Sequence, residues 1–161
     1  MKDDKKITFS AQEISKAIAH IELKWYELTI DKTNDDGTII GLPSPYVVPS
    51  VTEIDGFVFK EMYYWDSYFI ARGLRRSGHS QLDEGMLENS IFLMKKFHII
   101  PNANRFYMTS RSQPPILTSY ILEVYETYNK NTVWLKERME VARKEYENVW
   151  CSSTHPNHRK V

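Results

Sequence analysis

Cysteine is almost missing from this chain. Cys151 stands alone, so no intrachain disulfide can form, and the count fits a reducing compartment. Charge of one sign is missing too: 21 Lys and Arg balance 21 Asp and Glu, which removes the electrostatic reason to expect nucleic acid or an anionic membrane as a partner. No apolar run approaches the length that crosses a bilayer. The lysine-rich start leads into Ile-Thr-Phe-Ser rather than the apolar core of a signal peptide. These absences predict a soluble protein of the cytoplasm. Strand-like alternation is also lacking, which predicts an all-α chain. At 161 residues it makes one domain, or one piece of a larger one.

What is present is helical spacing. Ser10-Ala-Gln-Glu13 has the form of a capping box, and Ile14, Ile18, Ile21 and Trp25 follow on one face, predicting a first helix over 11–28. Residues 29–55 form a long connector with Asp35-Asp36-Gly37 and three prolines; its segment 43–49 is apolar enough to pack as an ordered lead-in. A second helix begins near Tyr64 and ends at Arg75-Arg76-Ser77-Gly78, with Gly73 inside it implying close packing. Ser80 is expected to cap a third, to about Phe97, with a broad apolar face. Pro114 and Pro115 suit the first turn of a fourth, which continues to Tyr128. A fifth runs from Val133 to about Trp150 with Leu135, Met139, Ala142, Tyr146 and Val149 inward.

Two segments are chemically unusual. Residues 57–69 hold seven aromatics, a third of those in the chain, together with Glu61 and Asp66. Flat apolar faces beside fixed acceptors suit a ligand that is half apolar and half hydroxylated, such as a sugar ring. Residues 98–115 crowd Asn102, Asn104, Arg105, Arg111 and Gln113 together, donors and acceptors of the kind that read vicinal hydroxyls. If neighbouring helices alternate in direction, the second and fourth run parallel, so these two segments lie at the same end of the array and are expected to line one pocket.

Tyr-Tyr-Trp-Asp-Ser-Tyr-Phe at 63–69, Ile-Pro-Asn-Ala-Asn-Arg at 100–105 and Ser-Arg-Ser-Gln-Pro-Pro at 110–115 resemble, in order and spacing, successive motifs of the trehalases of glycoside hydrolase family 37. The resemblance covers roughly 41–161. It implies an (α/α) toroid of six helix hairpins, of which about five helices are present, and inverting hydrolysis of α,α-trehalose to two glucoses without metal or organic cofactor. Residues 1–161 then form the N-terminal part of a catalytic domain, with helix and connector over 1–40 and motif-bearing hairpins over 41–161; the partners are the sugar and the remainder of the toroid. By position, Phe59, Tyr63, Trp65 and Asp66 match family residues lining the glucose pocket, with Asp66 accepting from sugar hydroxyls and Trp65 shaping the wall. Asn102, Arg111 and Gln113 match positions that hold sugar hydroxyls. The catalytic acid and base are expected beyond residue 161, so the chain alone is expected to be inactive, with helix faces meant for further hairpins left exposed.

The match has one departure that bears on substrate. Val58 stands where the family has an arginine contacting the second glucose, which leaves open a related toroid glycosidase acting on another α-glucoside. A non-catalytic helical carbohydrate-binding module is the alternative from another class. Other features have plainer readings. Glu61 and Asp66, five apart on one segment, cannot readily flank a scissile bond from opposite faces, and Glu61 is expected to pair with a cation. Tyr68 and Phe69 are expected in the core. Arg105 fits a surface ion pair, the clusters Lys2 to Lys6 and Arg75-Arg76 a solvated surface, and His155 and His158 a solvated loop rather than a metal site.

Overall fold

The first helix starts where the capping box predicts. Ser10 Oγ accepts from the Glu13 N–H at 3.3 Å, while the Glu13 carboxylate accepts from the Ser10 N–H at 2.8 Å. In the computed structural model, which describes residues 8–50 and 58–152, this helix is α1, Ala11–Leu28. Phe57, the Lys2 to Lys6 cluster, His155 and His158 lie outside the described residues. Four more helices follow: α2 Tyr64–Arg76, α3 Ser80–Phe97, α4 Leu117–Thr127 and α5 Thr132–Glu145, the last running into a π turn, Tyr146–Trp150. A 3-10 turn, Phe106–Met108, interrupts the loop before α4.

The helix boundaries differ from expectation in their caps. Ser80 is the first helical residue of α3 rather than its cap, and His79 at the cap position makes no side-chain capping bond. Pro114 and Pro115 precede α4 instead of forming its first turn. Asn131 caps α5, its side chain accepting from the Trp134 N–H at 2.9 Å.

The connector departs from the strandless expectation. Thr29–Ile30 (β1) pairs antiparallel with Tyr46–Val47 (β2), Thr29 opposite Val47 and Ile30 opposite Tyr46. Two-residue strands are too short to show an alternation in sequence. Between them the chain turns at Gly37, where φ is +57°, and Asp35 accepts from the Gly41 N–H at 2.7 Å. Gly41 tolerates no side chain, since a Cβ there would stand 2.4 Å from the Thr33 carbonyl oxygen. The result is an ordered lead-in: Ile40, Leu42, Tyr46, Val47 and Val48 are all buried in the main core.

That core is built between α2, α3, α4 and α5 from Leu74, Met86, Leu87, Leu93, Leu117, Tyr120 and Val124 among others. Helix α1 joins it only at its end. Trp25 packs on Gly73 of α2, where a Cβ would sit 3.0 Å from the indole, and the Trp25 ring N–H donates to Ser77 Oγ at 3.0 Å. Ile14, Ile18 and Ile21 are exposed. Tyr146, expected inward, is exposed as well, at the start of the π turn, while Ala142, Glu145 and Val149 face the core.

Arg75 is not the surface residue its sequence neighbourhood implies. It forms a two-pronged pair with fully buried Asp83, Nε to Oδ2 at 2.6 Å and Nη2 to Oδ1 at 3.2 Å, and a further pair with Glu123. Tyr68 donates to Glu123, and Tyr128 donates to Asp83 at 2.9 Å. A buried charge persists only when it is paired and hydrogen-bonded, and this network of α2, α3 and α4 supplies both.

Candidate functional site

The aromatic stretch and the polar loop meet. The Tyr64 N–H donates to the Asn102 carbonyl at 3.2 Å, Tyr63 and Ala103 form an antiparallel bridge, and the Trp65 N–H donates to Gln113 Oε1 at 2.6 Å. Inside the loop the Asn102 N–H donates to the Arg111 carbonyl at 2.9 Å, which closes residues 102–111 into a hoop carrying the 3-10 turn. The helical phase sorts the aromatics. Tyr64 and Tyr68 point inward; Trp65, 38% exposed, and Phe69 point outward with ring centroids 5.4 Å apart. Phe69 is therefore not the core residue expected of it. Phe59 and Tyr63 meet edge to face at 5.8 Å, behind the start of α2.

Of the seven residues singled out from sequence, Trp65 and Gln113 touch directly, Phe59 and Tyr63 touch directly, and Asn102 and Arg111 touch through their backbones. Asp66 stands in the first turn of α2, beside Trp65. Neither its carboxylate nor the Arg111 guanidinium has a hydrogen bond or ion pair among the described residues. Among the described residues the Asn102 amide reaches only the Met108 sulfur, at 3.9 Å. These three polar groups are left with capacity for a ligand.

Their neighbours in sequence are committed to structure. Glu61, 1% exposed, is ion-paired with Arg105 and accepts from the Lys60 N–H at 2.8 Å, as its expected cation pairing requires. Asn104 is fully buried. Its Oδ1 accepts from the Met62 N–H at 2.7 Å, its Nδ2 donates to the Ile40 carbonyl at 2.8 Å, and its own carbonyl accepts from the Ile40 N–H at 2.9 Å. One amide thus ties the connector, the aromatic stretch and the polar loop together. By residue type Asn104 belongs with the hydroxyl readers, since nothing in Ile-Pro-Asn-Ala-Asn-Arg separates the amide that holds backbone from the one left open.

Tyr64, from the aromatic stretch, meets at this end a residue with no signal in the sequence, Glu145. Tyr64 is saturated: its hydroxyl oxygen accepts from the Ile116 and Leu117 N–H groups at 3.1 and 2.8 Å and donates to Glu145 Oε1 at 2.8 Å. Burial holds the Tyr64 hydroxyl well above the ordinary tyrosine range. Burial also pushes the Glu145 carboxyl up to about 7, with hydrogen bonds from Tyr64 and Trp150 acting in the opposite direction. Among the described residues no cluster of three His, Cys, Asp or Glu is placed to hold a metal ion, and no helix is long and apolar enough to cross a membrane.

Comparison with known proteins gives this end of the molecule its context. The chain is 44% identical over 107 residues to the periplasmic trehalase of Xanthomonas campestris pv. campestris, a match covering 65% of this chain and 18% of that protein. It is 40% identical over 127 residues to a probable trehalase of Eremothecium gossypii, covering 76% and 16%, and 33% identical over 127 residues to the trehalase of Arabidopsis thaliana, covering 79% and 19%. These matches span about a fifth or less of the relatives' length. Among solved structures, the neutral trehalase Nth1 from Saccharomyces cerevisiae superposes with a TM-score of 0.61 at 37% identity, over 68% of this chain and 20% of that one. The five helices are thus part of an α/α toroid, the fold of that neighbour. The model of the trehalase family matches residues 1–161, and the chain belongs to that family.

Proposed function

We propose that the parent protein is an inverting α,α-trehalase and that this chain supplies the wall that holds one glucose, with Phe59, Tyr63, Trp65, Asp66, Asn102, Arg111 and Gln113 as the sugar-contacting residues. The observation that carries the reading is the Trp65 N–H to Gln113 bond of 2.6 Å. It joins the two motif-bearing segments, which also carry the Asp66 carboxylate and the Arg111 guanidinium, neither with a partner among the described residues. An exposed indole on segments that carry such groups suits a pyranose, whose CH face is apolar and whose rim is hydroxylated. Residues 1–161 are read as the N-terminal part of the catalytic domain, and the rest of the toroid as its partner.

The chemistry itself is assigned elsewhere in the parent. Inversion needs an acid and a base roughly 6.5–9.5 Å apart on opposite sides of the scissile bond. Asp66 is the open carboxylate at this wall, and Glu61 is locked against Arg105. The expected result is that the purified 161-residue chain releases no glucose from trehalose. Glucose release that Asp66→Ala abolishes would overturn the assignment. Val58, which stands where the resemblance implies an arginine, favours a second reading in which the leaving group is not glucose; comparing trehalose with other α-glucosides on the parent enzyme separates the two. The cytoplasmic location expected from the single cysteine contrasts with the periplasmic one in the names of bacterial relatives, and cell fractionation tests it.

A further inference from the structure

Two clasps hold the start of α2 against the segment leading into α4. One is the Trp65 N–H to Gln113 Oε1 bond, and the other is the Tyr64 hydroxyl accepting from the N–H groups of Ile116 and Leu117. They come from adjacent residues on one side and from residues three to four apart on the other, so a shift in one moves the other. The second clasp depends on a third element. Tyr64 has one O–H proton, and it goes to Glu145 Oε1 at 2.8 Å, leaving both lone pairs to the amides of α4. Glu145 is 2% exposed at the end of α5 and lies outside the two motif-bearing segments.

We propose that Glu145 is a positioning residue for the sugar wall: through the Tyr64 hydroxyl it sets the start of α2 against the start of α4, and its protonation tightens or slackens the Trp65–Gln113 contact. The platform's purpose rests on the function proposed above, whereas its geometry does not. A carboxylate accepting from Tyr64 makes a charge-assisted bond roughly twice as strong as a neutral one, and it fixes which way the hydroxyl proton points. A neutral carboxyl competes as a donor for the same oxygen. The groups facing Glu145 are few. Tyr64 comes from α2 and the first amides of α4 act through it; from its own helix and the π turn come Arg143, Tyr146 and Trp150. Arg143 is engaged by Glu140 and Glu147, so the buried carboxylate has no cation partner among these groups and its protonation responds to pH in the neutral range.

Nuclear magnetic resonance on the full 161-residue chain tests this without any sugar. In the unmodified protein the Trp65 backbone amide and the Gln113 side-chain amide should titrate with the Glu145 carboxyl carbon, at a midpoint of about 7. In Glu145→Gln both titrations should vanish. In Tyr64→Phe the carboxyl should still titrate while the two amides no longer follow it. Amides that stay still while Glu145 titrates, or that keep following it in Tyr64→Phe, would overturn the proposal. Because the unmodified protein carries the first readout, a variant that fails to fold does not remove the test. A failure to bind trehalose would count against the proposed function and not against this coupling.

Discussion

Glu61 and Asp66 stand five positions apart on one segment and have opposite environments. The first is buried in an ion pair with Arg105; the second, half-buried in the first turn of α2, has no partner among the described residues. Truncating Asp66 to Ala should therefore cost under about 1 kcal/mol of stability, mostly the loss of a favourable charge at the start of α2. Glu61→Ala, which strands a half-buried guanidinium, should cost about 3 kcal/mol. Chemical denaturation of the two variants measures both, and equal losses would contradict the assignment of structure to one and binding to the other. Glu145 adds a dependence on pH whose sign is fixed. Its carboxyl is raised from 4.5 to about 7, so the folded chain keeps a proton that the unfolded chain has released. The stabilisation this gives is fully present below about pH 4.5 and is lost as pH rises to about 7, a change on the order of 3 kcal/mol. Glu145→Gln should flatten that dependence, gaining melting temperature relative to the unmodified protein at pH 8 and not at pH 4.5. An unchanged pH profile of stability in the variant would show that burial of this carboxyl carries no such penalty.

At the scale of elements, the helices were legible and the parts that hold them were not. The capping box at Ser10, the spacing of Met86, Leu87, Met94 and Phe97, and the tight packing at Gly73 all follow from local rules that survive folding. The β1–β2 ribbon, the outward turn of Tyr146 and the burial of Arg75 depend on partners distant in sequence, and no window along the chain contains them. The same holds for the site. Its two segments were visible because their composition is unusual, and their meeting was expected from helix alternation. The division of labour inside them was not visible, because Asn102 and Asn104 are chemically identical and only the fold decides that one clamps backbone while the other stays open. Asn104→Ala should accordingly remove two buried hydrogen bonds and cost about 2–4 kcal/mol, with the connector around Ile40 losing amide-exchange protection before α3 does. Uniform loss of protection across both would indicate that the amide is not a local clamp.

Over the whole molecule two buried networks hold the helices and the connector together. The buried network of Arg75, Asp83, Glu123 and Tyr128 locks α2 to α3 and α4, and the Asn104 clamp fixes the connector and polar loop to the start of α2. Trp65, Phe69 and the α1 isoleucines meanwhile face outward. Holding sugar without cleaving it is the central claim, and residue-resolved chemical-shift mapping during addition of trehalose or glucose tests it most directly. Weak saturable binding is expected, with a dissociation constant of about 1 mM or above, that shifts the Trp65 indole and the Asn102 and Gln113 side-chain amides and disappears in Asp66→Ala. Shifts confined to other surfaces, or binding that Asp66→Ala leaves unchanged, would contradict it.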